Sequence, residues 1–144
     1  MNGKGRFCIA ATIFLIVIVV FFFVGKGERE KRYQDIFFLS PYSHYFVRAF
    51  SAKEFSIAQE GQLGKMHHCL TQYRSGLDKR APEAATGSSG YMELTVDFYK
   101  IYLGINQGEV TSVRLYKYDS DGDYVYQSGT VAVNCNVKLL NTLD

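Results

Sequence analysis

Phe7 to Val24, FCIAATIFLIVIVVFFFV, is an unbroken run of eighteen residues with no charge, no Pro and no Gly. As a helix it rises about 27 Å, close to the roughly 30 Å hydrocarbon core of a bilayer. It exceeds the apolar region of about 7–15 residues found in ordinary signal peptides. Residues 7–24 therefore read as an uncleaved single-pass transmembrane helix in contact with membrane lipid. The alternative is a cleaved signal, because Gly25-Lys26-Gly27 places small residues where a signal peptidase needs them.

Charge divides the chain at the same place. Of 16 Lys+Arg, only Lys4 and Arg6 precede the run, and all 14 Asp+Glu follow it. The net charge of +2 is that pair, so the rest is neutral. A neutral domain lacks the basic stripe that nucleic acid requires. A chain of 144 residues has room for one domain behind the anchor. The expected division is a tail and anchor over 1–25, a solvated juxtamembrane stalk over 26–39, and a soluble domain over 40–144. Lys26, Arg29, Lys31 and Arg32 favour that domain on the inner side by basic count. Interleaved Glu28, Glu30 and Asp35 weaken the count. Cys69 and Cys135 can pair in an oxidising compartment, which favours the domain outside; as free buried thiols they carry no such message.

The domain reads as helices followed by strands. Ser40-Pro41 is a helix-start signal, and Tyr42, Tyr45, Phe46, Ala49 and Phe50 recur at helical spacing. Ser51 to Glu54 reads as a capping box, with Phe50 and Phe55 as its hydrophobic staple, opening a helix to about Leu63 that Gly64 closes. Lys65 to Tyr73 then alternates as a strand, and Arg74 to Gly90 reads as a loop. Tyr91 to Leu103 reads as one strand with Met92, Leu94, Val96 and Phe98 on a single face. After a turn at Gly104–Gly108, Glu109 to Tyr118 alternates, with Thr111, Val113 and Leu115 inward. Asp119 to Asp123 turns, Tyr124 to Gln127 returns, and Thr130 to Leu139 is the last strand. The fold class is α+β: a single N-terminal transmembrane helix, then one or two helices packed on an antiparallel sheet of about five strands.

No GxSxG, HExxH, P-loop or paired CxxC is present, so no catalytic residue, cofactor or metal is expected. Asp119-Ser120-Asp121-Gly122-Asp123 fails as an EF-hand, because Tyr124 and Thr130 stand where Gly and Glu belong. It reads as a hairpin turn. His67 and Cys69 would share one side of a strand and His68 the other, which suits packing better than ligation. Tyrosine is the conspicuous residue of the sheet. Tyr99, Tyr116, Tyr118, Tyr124 and Tyr126 read as a candidate protein-binding face, since Tyr is enriched at interface centres.

The layout resembles the cytochrome oxidase assembly factor one group, whose fold is shared with the twenty-one-kilodalton-type subunit of the mitochondrial inner-membrane presequence translocase. The stretches that carry the resemblance are Tyr42–Gly64 (YSHYFVRAFSAKEFSIAQEGQLG), Gly90–Val96 (GYMELTV) and Val113–Tyr126. Lys65-Met66 and Thr95-Val96 stand where that family carries proline. The resemblance implies a non-enzymatic accessory, assembly or scaffold protein of a larger inner-membrane complex. Its partners would be other membrane-complex subunits, in a respiratory setting. The mitochondrial inner membrane is the favoured location and a bacterial inner membrane the alternative. A pilin-like or secretion-system layout is the second match, although no Glu enters the span and Gly25 and Gly27 would interrupt its long helix. A periplasmic or secreted inhibitor or immunity protein is the third.

Overall fold

A computed structural model of the chain describes residues 3–74 and 90–143. The loop read into Arg74–Gly90 lies, from 75 to 89, outside the described residues. The chain opens with helix α1 (Gly3–Tyr33), which passes unbroken through Gly25 and Gly27. This corrects the expectation that these glycines interrupt it. With no Pro present, the backbone ladder tolerates two glycines at a cost of about 1 kcal/mol each. A short 3₁₀ turn follows (Gln34–Phe38).

The remaining order is β1 (His44–Val47), α2 (Ala49–Phe55), β2 (Glu60–Gln62), α3 (Lys65–Thr71), β3 (Gly90–Val96), β4 (Tyr99–Asn106), β5 (Glu109–Tyr118), β6 (Tyr124–Gln127) and β7 (Val131–Asn136). One antiparallel sheet of seven strands runs β2-β1-β3-β4-β5-β6, with β7 also paired to β5. Long β5 serves both neighbours along one edge: Tyr116–Tyr118 face β6, and Glu109–Val113 face β7. The chain is thus α+β, with more strands than the five expected.

Two segments exchange helix for strand. Tyr42–Val47 does not form a helix, and of the expected stripe only Ala49 and Phe50 fall in one, α2: Tyr45 and Val47 are buried while His44 and Phe46 are exposed, the period of a strand. Ser40 caps no helix either. Its carbonyl accepts from Ser43 N at 3.0 Å and its hydroxyl from Tyr42 N at 3.2 Å, a β-turn with Pro41 at the favoured position. Conversely, Lys65–Thr71 is helix rather than strand, because Leu63, Met66 and Leu70 bury at a spacing of three to four.

Helix α2 begins before the expected capping box and stops at Ser56, which turns left-handed (φ 54) so the chain can return as β2. Phe50 is 78% exposed, so there is no staple. Gly64 opens α3 instead of closing α2. Its φ is +57, and a Cβ there would run into the Thr142 carbonyl oxygen.

The strand expected over Tyr91–Leu103 is a hairpin. Val96 pairs with Tyr99 across a two-residue turn in which Asp97 takes φ 49, a conformation Asp tolerates unusually well. Phe98 sits on that turn, exposed, not on the inner face. The next turn is Gln107-Gly108, and Gly104 stays inside the sheet opposite Tyr91 and Ser112. A bulge between Val110 and Ser112 shifts the inward phase of β5, so Val110, Val113 and Leu115 are buried and Thr111 is not.

One face of the sheet carries the core. Met92, Leu94, Ile101, Leu103 and Leu115 pack there with Phe55 of α2, Met66 and Leu70 of α3, and Tyr33, Ile36 and Leu39. These last three lie in the segment expected to be a solvated stalk. Charged Glu28, Lys31 and Arg32 are exposed, as a stalk requires, but Tyr33 and Ile36 are fully buried. Burying such side chains outweighs the polarity of their neighbours.

Candidate functional site

The end of α1 is fastened to the sheet by polar groups as well as apolar ones. Tyr99, Lys117 and Tyr126 are direct cross-strand neighbours on β4, β5 and β6, so they form one row on the core-bearing face. Asp35, in the 3₁₀ turn, lies over that row. Its Oδ2 accepts from the Tyr99 hydroxyl at 3.2 Å, from Lys117 Nζ at 3.2 Å, and from the Tyr126 hydroxyl. Arg32, one turn earlier, stacks its guanidinium 5.5 Å from the Tyr126 ring. Lys117 Nζ lies 5.6 Å from the Tyr99 and Tyr126 rings. Gly129 N, in the β6–β7 turn, donates to the Arg29 carbonyl at 3.1 Å. The Tyr33 hydroxyl donates to Leu70 O at 3.1 Å, with its ring edge-on to Tyr73.

The electrostatics of the row follow from this geometry. Hydrogen bonding to Asp35 raises the Lys117 ammonium above its usual range. Burial first, then the Asp35 carboxylate, pushes the Tyr99 phenol up. The same two causes raise Tyr126. Each group thus keeps its proton more firmly than it would in water.

The opposite face of the sheet has no helix over it among the described residues. Tyr102, Tyr116, Tyr118 and Tyr124 form a continuous ladder there, with ring centroids 4.8 Å (Tyr102–Tyr116), 6.5 Å (Tyr116–Tyr124) and 6.2 Å (Tyr118–Tyr124) apart. The Tyr102 hydroxyl donates to Glu93, which pushes its pKa up to about 12, and Lys100 pairs with the same carboxylate at 3.4 Å.

The five tyrosines expected to share one face are therefore divided. Tyr116, Tyr118 and Tyr124 lie on the open face. Tyr99 and Tyr126 turn inward to Asp35. The division has a local cause: a register shift between Lys117 and Tyr118 puts an extra residue into β6, which leaves Tyr124 and Tyr126 on opposite sides. Tyr102 belongs to the ladder and Asp35 to the inner row, and neither was among the site residues expected from sequence.

Cys69 of α3 and Cys135 of β7 are joined by a disulfide, with Cα atoms 6.1 Å apart and a sequence separation of 66. The histidines do not converge. His67 Nε2 is 3.3 Å from Ile36 O, His68 Nε2 bonds the Gln72 amide, and His44 is exposed on β1. Among the described residues no three His, Cys, Asp or Glu are grouped to hold a metal. Asp119 Oδ1 accepts from the backbone N–H of Asp121 and Asp123, the hydrogen bonds of a hairpin turn.

No protein-family model, curated protein or solved structure matches this chain. The class of molecule therefore rests on its own geometry: an α+β domain carried on one N-terminal helix that is long and apolar enough to cross a membrane.

Proposed function

We propose that this is a single-pass membrane protein whose domain serves as a non-enzymatic accessory, assembly or scaffold module of a larger membrane complex. The observation that carries the reading is the exposure of α1. From Ile13 to Val24 every side chain is large, apolar and between 43% and 75% exposed. At about 1.5–3 kcal/mol per side chain, wetting them costs roughly 20 kcal/mol, more than the ~5–15 kcal/mol that holds a domain together. Lipid removes that cost. The same helix ends inside the domain core, so the anchor and the domain behave as one body. The disulfide between Cys69 and Cys135 supports placing the domain in an oxidising compartment, with Lys4 and Arg6 on the other side.

Alkaline carbonate extraction of intact membranes tests the anchor, and mass spectrometry of the mature N-terminus tests cleavage. The expected result is a pelleted chain that retains residues 7–24 and co-migrates with a larger assembly in mild detergent. A soluble chain beginning after Gly27 overturns the proposal.

One observation favours the pilin-like reading: α1 runs unbroken through Gly25 and Gly27 into a sheet-packing end. Filaments sheared from cells and containing this chain would select it.

A further inference from the structure

The contacts of α1 and the 3₁₀ turn that follows it climb the sheet in order. Arg29 meets Gly129 at the β6–β7 turn, Arg32 meets Tyr126, and Asp35 meets Tyr126, Lys117 and Tyr99. Moving away from the apolar run therefore means moving along β6 from Gln127 toward Tyr124. Eleven residues separate Val24 from Asp35, about 16 Å of helix. The β5–β6 turn lies farther still. The β3–β4 turn sits beside it, because Tyr118 N donates to Phe98 O at 2.8 Å. Together these turns form the membrane-distal tip of the domain.

The tip has a distinct chemistry. Phe98 is 55% exposed and Tyr124 56% exposed, with Tyr118 beside them. Around these rings stand four exposed carboxylates, Asp97, Asp119, Asp121 and Asp123. None is in an ion pair among the described residues. Of the two strand lysines beside the tip, Lys117 pairs with Asp35, and Lys100 pairs with Glu93 while lying over the Tyr118 ring. The carboxylates do not converge as a metal site.

We propose that this tip docks a lysine- or arginine-bearing segment of a partner protein, its cations seated over Phe98 and Tyr124 and neutralised by the four aspartates. The neighbouring Tyr118 ring, already covered by the chain's own Lys100, shows the seating geometry, with Nζ 5.3 Å from the ring centroid. A lipid surface does not fit. The tip stands well beyond a headgroup layer only about 5–7 Å deep, and anionic headgroups repel carboxylates. The word distal and the exclusion of lipid by distance rest on the membrane reading, whereas the charge and the rings are there in either case.

The test uses the full chain in neutral detergent, so that its failure leaves the anchor untouched. The probe is a fluorescein-labelled peptide of alternating lysine and serine, with a glutamate–serine peptide as control, both read by anisotropy. The lysine peptide is expected to bind saturably and more weakly as salt rises, and the glutamate peptide not to bind. Phe98→Ala with Tyr124→Ala, which leaves the charge unchanged, weakens binding about tenfold. Asp121→Asn with Asp123→Asn weakens it similarly and flattens the salt dependence. Tyr91→Ala, on the open face away from the tip, changes nothing. Four results overturn the proposal: no binding of the lysine peptide, equal binding of both peptides, loss on removing charge but not rings, or a dimer of this chain that Tyr124→Ala dissolves.

Discussion

Replacing Asp35 by Ala removes one acceptor that three strands share, so its cost can be worked from the structure. Two phenols and one ammonium lose the same oxygen. A hydrogen bond to a charged group contributes about 1.5–3 kcal/mol. The lower figure applies, because Asp35 keeps 18% of its side-chain surface and water can reach the vacated site. The Lys117 ion pair, with 35% of the lysine side chain exposed, adds no more than about 1 kcal/mol. The sum is about 3–4 kcal/mol. Urea unfolding in neutral detergent, followed by tyrosine emission, reads it directly, since the chain has 11 Tyr and no Trp. Spin labels at Glu28→Cys and Lys138→Cys, in a Cys8→Ser background, report the angle between helix and sheet. The expected outcome is a lower midpoint together with a broadened distance distribution. A variant within about 0.5 kcal/mol of the parent, with the distribution still narrow, would refute the view that Asp35 fixes the domain to its anchor.

The same row predicts alkaline sensitivity. Tyr99, Tyr126 and Lys117 all have raised folded-state pKa values. Their stabilisation is complete below the unfolded values near pH ~10 and is lost as pH rises through the folded ones. Unfolding midpoints should hold steady up to about pH 9 and fall beyond about pH 10, less steeply in Asp35→Ala; a fall of equal slope in both chains contradicts the assignment. Reducing the disulfide releases a closure of 66 residues, worth about 4 kcal/mol by the chain-entropy relation; denaturation with and without reductant measures it, and a difference under about 1 kcal/mol rejects the estimate. Gly64→Ala drives a Cβ into Thr142 O at a left-handed φ and should cost at least about 2 kcal/mol; a neutral outcome by thermal melt would mean that the C-terminal segment does not pack there.

Where turn chemistry and alternation agreed, the chain was readable. The carboxylate-rich Asp119–Asp123 turn bounds β5 and β6, and both strands run over the residues their period-two pattern marks. The helix-to-strand exchanges show why the rest was not. In Tyr42–Phe50 the apolar spacing satisfies two periods at once, and pairing of Tyr45 with Gly61 and of Val47 with Leu94 decides between them. Lys65–Tyr73 is equally ambiguous, and α3 wins because it closes the core beside β7 with Met66 and Leu70. The Asp97-Phe98 turn lacks glycine, so nothing local marks it. Asp35 was out of reach for another reason: its partners lie 64 to 91 residues away. Its neighbourhood did carry a signal, the spacing of Tyr33, Ile36 and Leu39, hidden among charges.

That spacing bears on where the domain begins. Tyr33 and Ile36 are fully buried and Leu39 nearly so. At about 1.5–3 kcal/mol each, they contribute roughly 5–9 kcal/mol, comparable with the whole ~5–15 kcal/mol stability of a domain this size. A chain starting at Glu28 keeps these three side chains, the Asp35 row and the Arg29–Gly129 bond, and sheds the apolar run. It should be a soluble, cooperatively folding monomer. A chain starting at Pro41 retains every strand and both short helices, yet loses the lid over Met66 and Leu70, and should not fold cooperatively. Urea unfolding and resistance to limited proteolysis compare the two. If the chain from Pro41 unfolds with the same midpoint as the chain from Glu28, the end of α1 is an appendage to the core, and the rigid link between anchor and sheet has no physical basis.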